Sequence, residues 1–257
     1  MPKLFNRGTN KQGLIVYGGE SSADYGMVVS EAPAYERPNR KQTVYTVPGR
    51  NGAVVFQEDA WEDVPRPYNV FIAEDLQEDS GGNISGTLAE RVDNFEAMLN
   101  SKKGYQRLTD NFEPDVFRLA YYSGGDAFTN ELLTVGRATL NFTCNAKRFL
   151  ISGEENIEVN NGDTLKNPTR FDAKPLIKIE VSSPSTITVT IGGATISADV
   201  ADYIYIDCDE MNAYRQAAEN KNNDVSGSFP SLVPGINTIG ITGSPSKVII
   251  TPRWYTI

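Results

Sequence analysis

Arg137-Ala138-Thr139-Leu140-Asn141-Phe142-Thr143-Cys144 alternates polar and apolar side chains without a break. Ala138, Leu140, Phe142 and Cys144 share one side, and Arg137, Thr139, Asn141 and Thr143 share the other. A period of two is the mark of a strand with one face in a core and one in water, the usual state of antiparallel sheets. The stretch from Thr134 to Cys144 is therefore read as a long half-buried strand.

Working outward, the same pattern recurs with turn chemistry between. Thr43 to Val47 and Ala53 to Phe56 flank Pro48-Gly49-Arg50-Asn51-Gly52, whose proline and two glycines suit a hairpin loop. Tyr68 to Ile72 and Val116 to Tyr122 add two further strands. One segment departs from this period. Thr87 and Glu90 form a capping box, Leu88, Val92, Phe95 and Leu99 repeat at helical spacing, and Lys102-Lys103-Gly104 supplies a stop. A helix is expected over about residues 88–103, with its apolar stripe laid on the surrounding sheet.

After Phe149-Leu150 the texture changes, and Ser152 to Asn156 reads as a linker. Short strands follow at Ile157 to Val159, Leu176 to Val181, Thr186 to Ile191, Thr195 to Ala198, Tyr203 to Cys208, Thr238 to Ile241 and Lys247 to Trp254. Ile177, Ile179 and Val181 share a face, as do Ile187, Val189 and Ile191, and Gly192-Gly193 permits a tight hairpin. Glu219 to Asp224 is polar and aperiodic, as in an exposed loop. The spacing is that of a β-sandwich. The expected fold is mainly β, with an N-terminal sandwich or barrel-like domain over 1–150 and an antiparallel sandwich over 151–257.

Composition removes many functions. The 257 residues carry a formal charge of −9, with 16 basic and 20 acidic residues up to position 150 and 8 and 13 beyond it. No basic half or patch exists to hold a phosphate backbone, so specific nucleic-acid binding is not expected. No apolar run approaches the length of a membrane span, and the start, MPKLFNRGTNKQG, lacks the apolar stretch of a secretory signal. With no histidine and only Cys144 and Cys208 as thiols, neither a Ser-His-Asp nor a Cys-His arrangement can be built, nor a closed zinc site. Both cysteines sit on apolar faces and read as small core residues.

Carboxylates are what remains for chemistry. Glu58, Asp59, Glu62 and Asp63 around Trp61 would suit a sugar-cleaving pair, but adjacent charges in a loop are usually solvated. Glu74, Asp75, Glu78 and Asp79, followed by Ser80-Gly81-Gly82-Asn83, read as a surface loop. The glycines there lack the lysine and preceding strand of a phosphate cradle, and no cofactor is expected. Asp207 and Asp209 at a strand end lack the spacing of a calcium loop and read as turn chemistry. No catalytic or metal-ligating residue is assigned. Tyr203, Tyr205 and Trp254 are placed on an outer surface suited to a protein partner or a glycan.

Several stretches, in order, resemble the distal tail protein (Dit) family of long-tailed bacteriophages. They are Gly19 to Val29, with its Ser, aromatic-Gly pair and aliphatic strand; Val47 to Gly52, a proline-glycine hairpin; the helix; Tyr105 to Leu108; Val116 to Tyr122; Leu140 to Cys144; and Phe229 to Ile239. The resemblance implies a structural virion protein rather than an enzyme. It implies a homo-hexameric ring, with back-to-back rings in isolation, built by the N-terminal domain around a channel, with a galectin-like sandwich outside. Such a ring joins the tail tube protein to the tail-tip hub and to receptor-binding or baseplate proteins. Assembly is expected in the host cytoplasm and residence at the tail tip. Neighbouring subunits would close the N-terminal strand edges, with Pro48, Gly49, Arg50, Asn51 and Gly52 as a subunit or tube contact. The sandwich lacks insertions that would carry a further sugar-binding module and looks minimal. The alternative is a carbohydrate-binding module that contributes to adsorption on the host cell wall.

Overall fold

The backbone's alternating pattern is realised in two units, residues 1–148 with Ile257, and residues 149–256. The computed structural model describes residues 13–73, 87–125, 129–132, 135–216 and 219–257. The acidic stretch from Glu74 to Asn83, read above as a surface loop, lies outside the described residues.

In the first unit the strands are β1 (Ile15–Tyr17), β2 (Glu20–Ser21), β3 (Met27–Val29), β4 (Arg40–Thr46), β5 (Ala53–Trp61), β6 (Val64–Ala73), β7 (Gln106–Asp110), β8 (Val116–Gly125), β9 (Thr129–Leu132) and β10 (Val135–Leu150). The main sheet runs β2-β1-β7-β8-β10-β6-β3, with β9 paired to β10. β10 sets the register. Leu140 stands opposite Tyr68 and Phe142 opposite Arg66, while Thr139 stands opposite Asn69 on the other face. Ala138, Leu140, Phe142 and Cys144 are all buried, as their spacing predicts. Gly13 bridges back to Val29, whose N–H donates to the Gly13 carbonyl at 2.6 Å, and so curls the sheet into a half-barrel. A Cβ on Gly13 would lie 2.2 Å from the Val29 carbonyl oxygen, so only glycine permits this closure.

Helix α1 (Leu88–Ser101) is the one α-helix among the described residues. Its capping box is formed in both directions: Thr87 accepts from the Glu90 N–H, and Glu90 accepts from the Thr87 N–H. Leu88, Phe95, Met98 and Leu99 are buried in the core of the half-barrel, as is Arg91, which the apolar stripe alone does not anticipate. Phe142 lies at the centre of that core, with ring centroids 5.1 Å from Tyr17, 5.8 Å from Tyr68 and 5.6 Å from Tyr122.

The second unit adds β11 (Ile157–Glu158), β12 (Thr164–Asn167), β13 (Leu176–Glu180), β14 (Ser185–Ile191), β15 (Ala194–Val200), β16 (Tyr203–Asp207), β17 (Asn212–Arg215), β18 (Glu219–Asn220), β19 (Val225–Gly227), β20 (Gly235–Thr242), β21 (Lys247–Thr251) and β22 (Tyr255–Thr256). Two antiparallel sheets, β11-β21-β13-β16-β17-β18 and β12-β20-β14-β15-β19, enclose a core of Ile177, Ile179, Ile187, Val189, Ile191, Ile206 and Ile239. Gly192 and Gly193, both at positive φ, make the two-residue turn between β14 and β15. The polar stretch read as a loop from Glu219 is more ordered than its composition suggests. It pairs as β18 with β17 and continues into a short 3₁₀ turn at Asn222–Asp224.

Phe142→Ala removes the ring that three tyrosines pack against, and should lower the unfolding free energy of the first unit by about 3–5 kcal/mol in urea titration. Val44→Ala, on an exposed strand, should change it by no more than about 0.5 kcal/mol.

Candidate interaction surfaces

β4 and β5 break the rule that the other sheets obey. They form a sheet of two strands, with Thr46 opposite Ala53, Tyr45 opposite Val54, Val44 opposite Val55 and Thr43 opposite Phe56. The alternation places Tyr45, Val54 and Phe56 on one face and Val44 and Val55 on the other. Neither face is covered: Val44 is 54% exposed, Tyr45 56%, Val55 49% and Phe56 61%. Among the described residues the two aromatics of this face make a ring contact only with each other, edge to face at 5.6 Å. Pro48-Gly49-Arg50-Asn51-Gly52 forms the tip, with Gly49 and Gly52 at positive φ and the Arg50 N–H donating to the Val47 carbonyl. All five tip residues are exposed.

The hairpin is held at its root. The Glu62 N–H donates to the Asn39 carbonyl, and the Arg40 guanidinium lies over the Trp61 ring at 5.2 Å and pairs with Asp59 at 3.6 Å. Asp63 accepts from the Tyr105 hydroxyl, and burial, followed by that carboxylate, pushes the phenol up to about 12. The acidic group around Trp61 is therefore engaged at the hairpin root: Asp59 and Asp63 hold structural partners, and Glu58 and Glu62 are exposed.

Arg66, Asp110, Glu113 and Arg118 of the first unit form one network. The Arg66 guanidinium donates to Tyr68 Oη at 2.7 Å, to Asp110 at 2.9 Å and to Glu113 at 2.9 Å. Tyr68 donates to Asp110 at 2.6 Å, and Arg118 and Arg148 both reach Glu113. Asp110 also accepts from the N–H groups of Phe112 and Glu113, which fixes the turn after β7. Burial raises the Asp110 carboxyl, but the Tyr68 hydroxyl and Arg66 outweigh it and leave the group below its ordinary value. Burial and the Asp110 charge raise the Tyr68 phenol well above its usual range. Every charge here has a partner, so the cluster is a brace and offers no free acid or base.

In the second unit Tyr203, Tyr205 and Tyr214 line the outer face of the β13-β16-β17 sheet. Tyr205 stacks on Tyr214 at 5.3 Å and meets Tyr203 edge to face at 6.0 Å. Lys178 Nζ lies 5.5–5.6 Å from the centroids of both Tyr203 and Tyr205, and Arg215 lies over Tyr203 at 5.3 Å. Lys178 pairs with Glu180, and Arg215 with Asp202. The three rings are half-buried by one another and by paired cations, in a face without net charge to recruit an ionic ligand.

Trp254 does not belong to that face. It is 5% exposed and packs in the sandwich core, with its carbonyl accepting from the Leu150 N–H, which corrects its placement on an outer surface. The Lys247-to-Trp254 stretch is also not one strand: β21 ends at Thr251, and Arg253 turns at positive φ. Arg253 makes a bidentate pair with Asp207 at 2.7 and 2.8 Å. Asp207 further accepts from the N–H groups of Asp209 and Glu210, so this carboxylate carries out turn chemistry. Among the described residues no cluster of acidic, Cys or His side chains is arranged to hold a metal. Cys144 and Cys208 are buried and free, and burial raises their thiols to about 11 and about 12.

No protein-family model matches this sequence, and no curated protein matches it. Among solved structures, the chain is similar to Dit (gp 19.1) of phage SPP1, described as a paradigm of the hub adsorption apparatus in phages infecting Gram-positive bacteria. The TM-score is 0.71 at 14% identity, over 95% of this chain and 99% of that one. A chain of the phage p2 baseplate in its activated conformation with Sr gives 0.47 at 9% identity, over 93% and 97%. Only the first supports a shared fold. The architecture is two-unit and β-rich, and the fold is like that of SPP1 Dit.

The carboxyl of Asp110 titrates lower folded than unfolded. Its contribution is therefore complete above about pH 4, where the unfolded group is ionised, and is lost as pH falls through the lower folded value. Asp110→Asn should flatten this acid limb of the stability curve and cost about 3 kcal/mol at neutral pH, both read by urea titration against pH.

Proposed function

We propose that this chain is a structural protein of a phage tail tip, a distal tail protein that assembles as a homo-hexameric ring. The observation that carries this is the likeness in fold to SPP1 Dit over nearly the full length of both chains. The ring joins the tail tube protein to the tip hub and to baseplate or receptor-binding proteins. The protein resides at the tail tip after assembly in the host cytoplasm, and it performs no reaction.

The first unit (about 1–150) is assigned to ring formation. Its half-barrel supplies a rigid body, and the β4–β5 hairpin supplies apolar surface that a single copy leaves uncovered. Closed cyclic symmetry then fixes the number of copies, because each subunit gives one surface and receives another. The tip, Pro48 to Gly52, is assigned to the contact with a neighbouring subunit or with the tube. The second unit (about 151–257) is assigned to the outside of the ring as a galectin-like docking or spacer domain, with Tyr203 and Tyr205 on its presented face.

Electron microscopy of the purified chain at high concentration, and of virions labelled with antibody against it, tests this reading. Rings with a central hole and label at the distal end of the tail are the expected result. A strict monomer at high concentration together with unlabelled tails contradicts it.

A further inference from the structure

The sequence contains two Asn-Gly pairs, Asn51-Gly52 and Asn161-Gly162. In such a pair the glycine backbone nitrogen can attack the asparagine side chain, because no Cβ hinders its approach. Both asparagines are exposed, both glycines stand at positive φ (82° and 90°), and nothing crowds either glycine. Exposure and backbone conformation therefore do not tell the two pairs apart. Hydrogen bonding does.

At Asn161-Gly162 both reacting groups are held. The Gly162 N–H donates to the Ile239 carbonyl at 2.8 Å, and Asn161 Oδ1 accepts from the Ile241 N–H at 2.8 Å. The Asp163 N–H closes the turn on the Asn160 carbonyl at 3.1 Å. At Asn51-Gly52, in the hairpin tip, the turn bond from the Arg50 N–H to the Val47 carbonyl stops just short of the pair. Among the described residues neither the Asn51 side chain nor the Gly52 N–H makes a hydrogen bond.

We propose that Asn51 is a site of self-modification, converted in the folded chain to aspartate and isoaspartate through a cyclic imide with Gly52. The Gly52 nitrogen gives its proton to hydroxide and bonds to Asn51 Cγ. The Cγ–Nδ2 bond breaks, and Nδ2 leaves as ammonia after taking a proton from water. Water then opens the imide at either carbonyl. Opening at Cγ restores an ordinary backbone with an aspartate, and opening at the backbone carbonyl leaves isoaspartate, with the chain routed through the side chain. Either product places a carboxylate beside Arg50, the charged residue of the Pro48-to-Gly52 tip. Asn161 is spared because its ring closure must first break two hydrogen bonds, whereas Asn51 has only to rotate. The inference stands on the two turns alone and is independent of the tail-tip reading.

Peptide mapping by mass spectrometry of the full chain, aged at neutral and at mildly alkaline pH, tests it, with the guanidinium-unfolded chain as reference. In the unfolded chain both asparagines should convert at similar rates. In the folded chain Asn51 should convert at least about tenfold faster than Asn161, and faster still at the higher pH, with isoaspartate detected by enzymatic methylation. Asn51→Gln, a change at an exposed position whose thermal melt should match the parent, should stop conversion at the tip and leave the rate at Asn161 unchanged. An Asn51 that stays intact in the folded chain, an Asn161 that keeps pace with it, or aspartate formed without isoaspartate overturns the proposal.

Discussion

A β-strand points alternate side chains to opposite faces, so a strand with apolar residues on both must be covered twice. The main sheet of the first unit and the two sheets of the second meet the simpler demand, with one apolar face turned to a core. β4 and β5 do not. That exception is where the first unit departs from closure, because the rest of it packs on itself. Gly13 curls the sheet, α1 fills the concave side, and Arg66, Tyr68, Asp110 and Glu113 pair each other's buried polar groups.

The division of labour is physical. Buried ion pairs such as Arg66–Asp110 add little net stability against an apolar replacement, but they punish any arrangement that separates them. The turn after β7 is thereby locked to β6, and with it the frame from which the hairpin projects. Under the proposed ring assembly, a closed body carrying an uncovered arm suits assembly from identical parts.

Much of this was legible in the sequence. The alternation in β10, the capping box of α1 and the Gly192-Gly193 turn are local signals, and each produced the expected element. The hairpin at Pro48 to Gly52 was equally plain, but its exposure was not, since an alternating strand looks the same whether or not something covers it. Trp254 was misplaced for a related reason. Near the chain end its ring could face either way, and only the turn at Arg253 aims it into the core. The ionic network escaped notice because Arg66 lies more than forty residues before Asp110 and Glu113, and they meet only through the sheet order β7-β8-β10-β6. Tyr214, which completes the outer aromatic row, lay on a strand too short to show a period.

Backbone hydrogen exchange across residues 40–61, in the isolated chain and in assembled tails, tests the central claim most directly. An assembly arm predicts rapid exchange in the free chain, where two strands have only each other, and strong protection once copies have joined. Protection already complete in the monomer, or exchange that stays rapid in assembled tails, would contradict it.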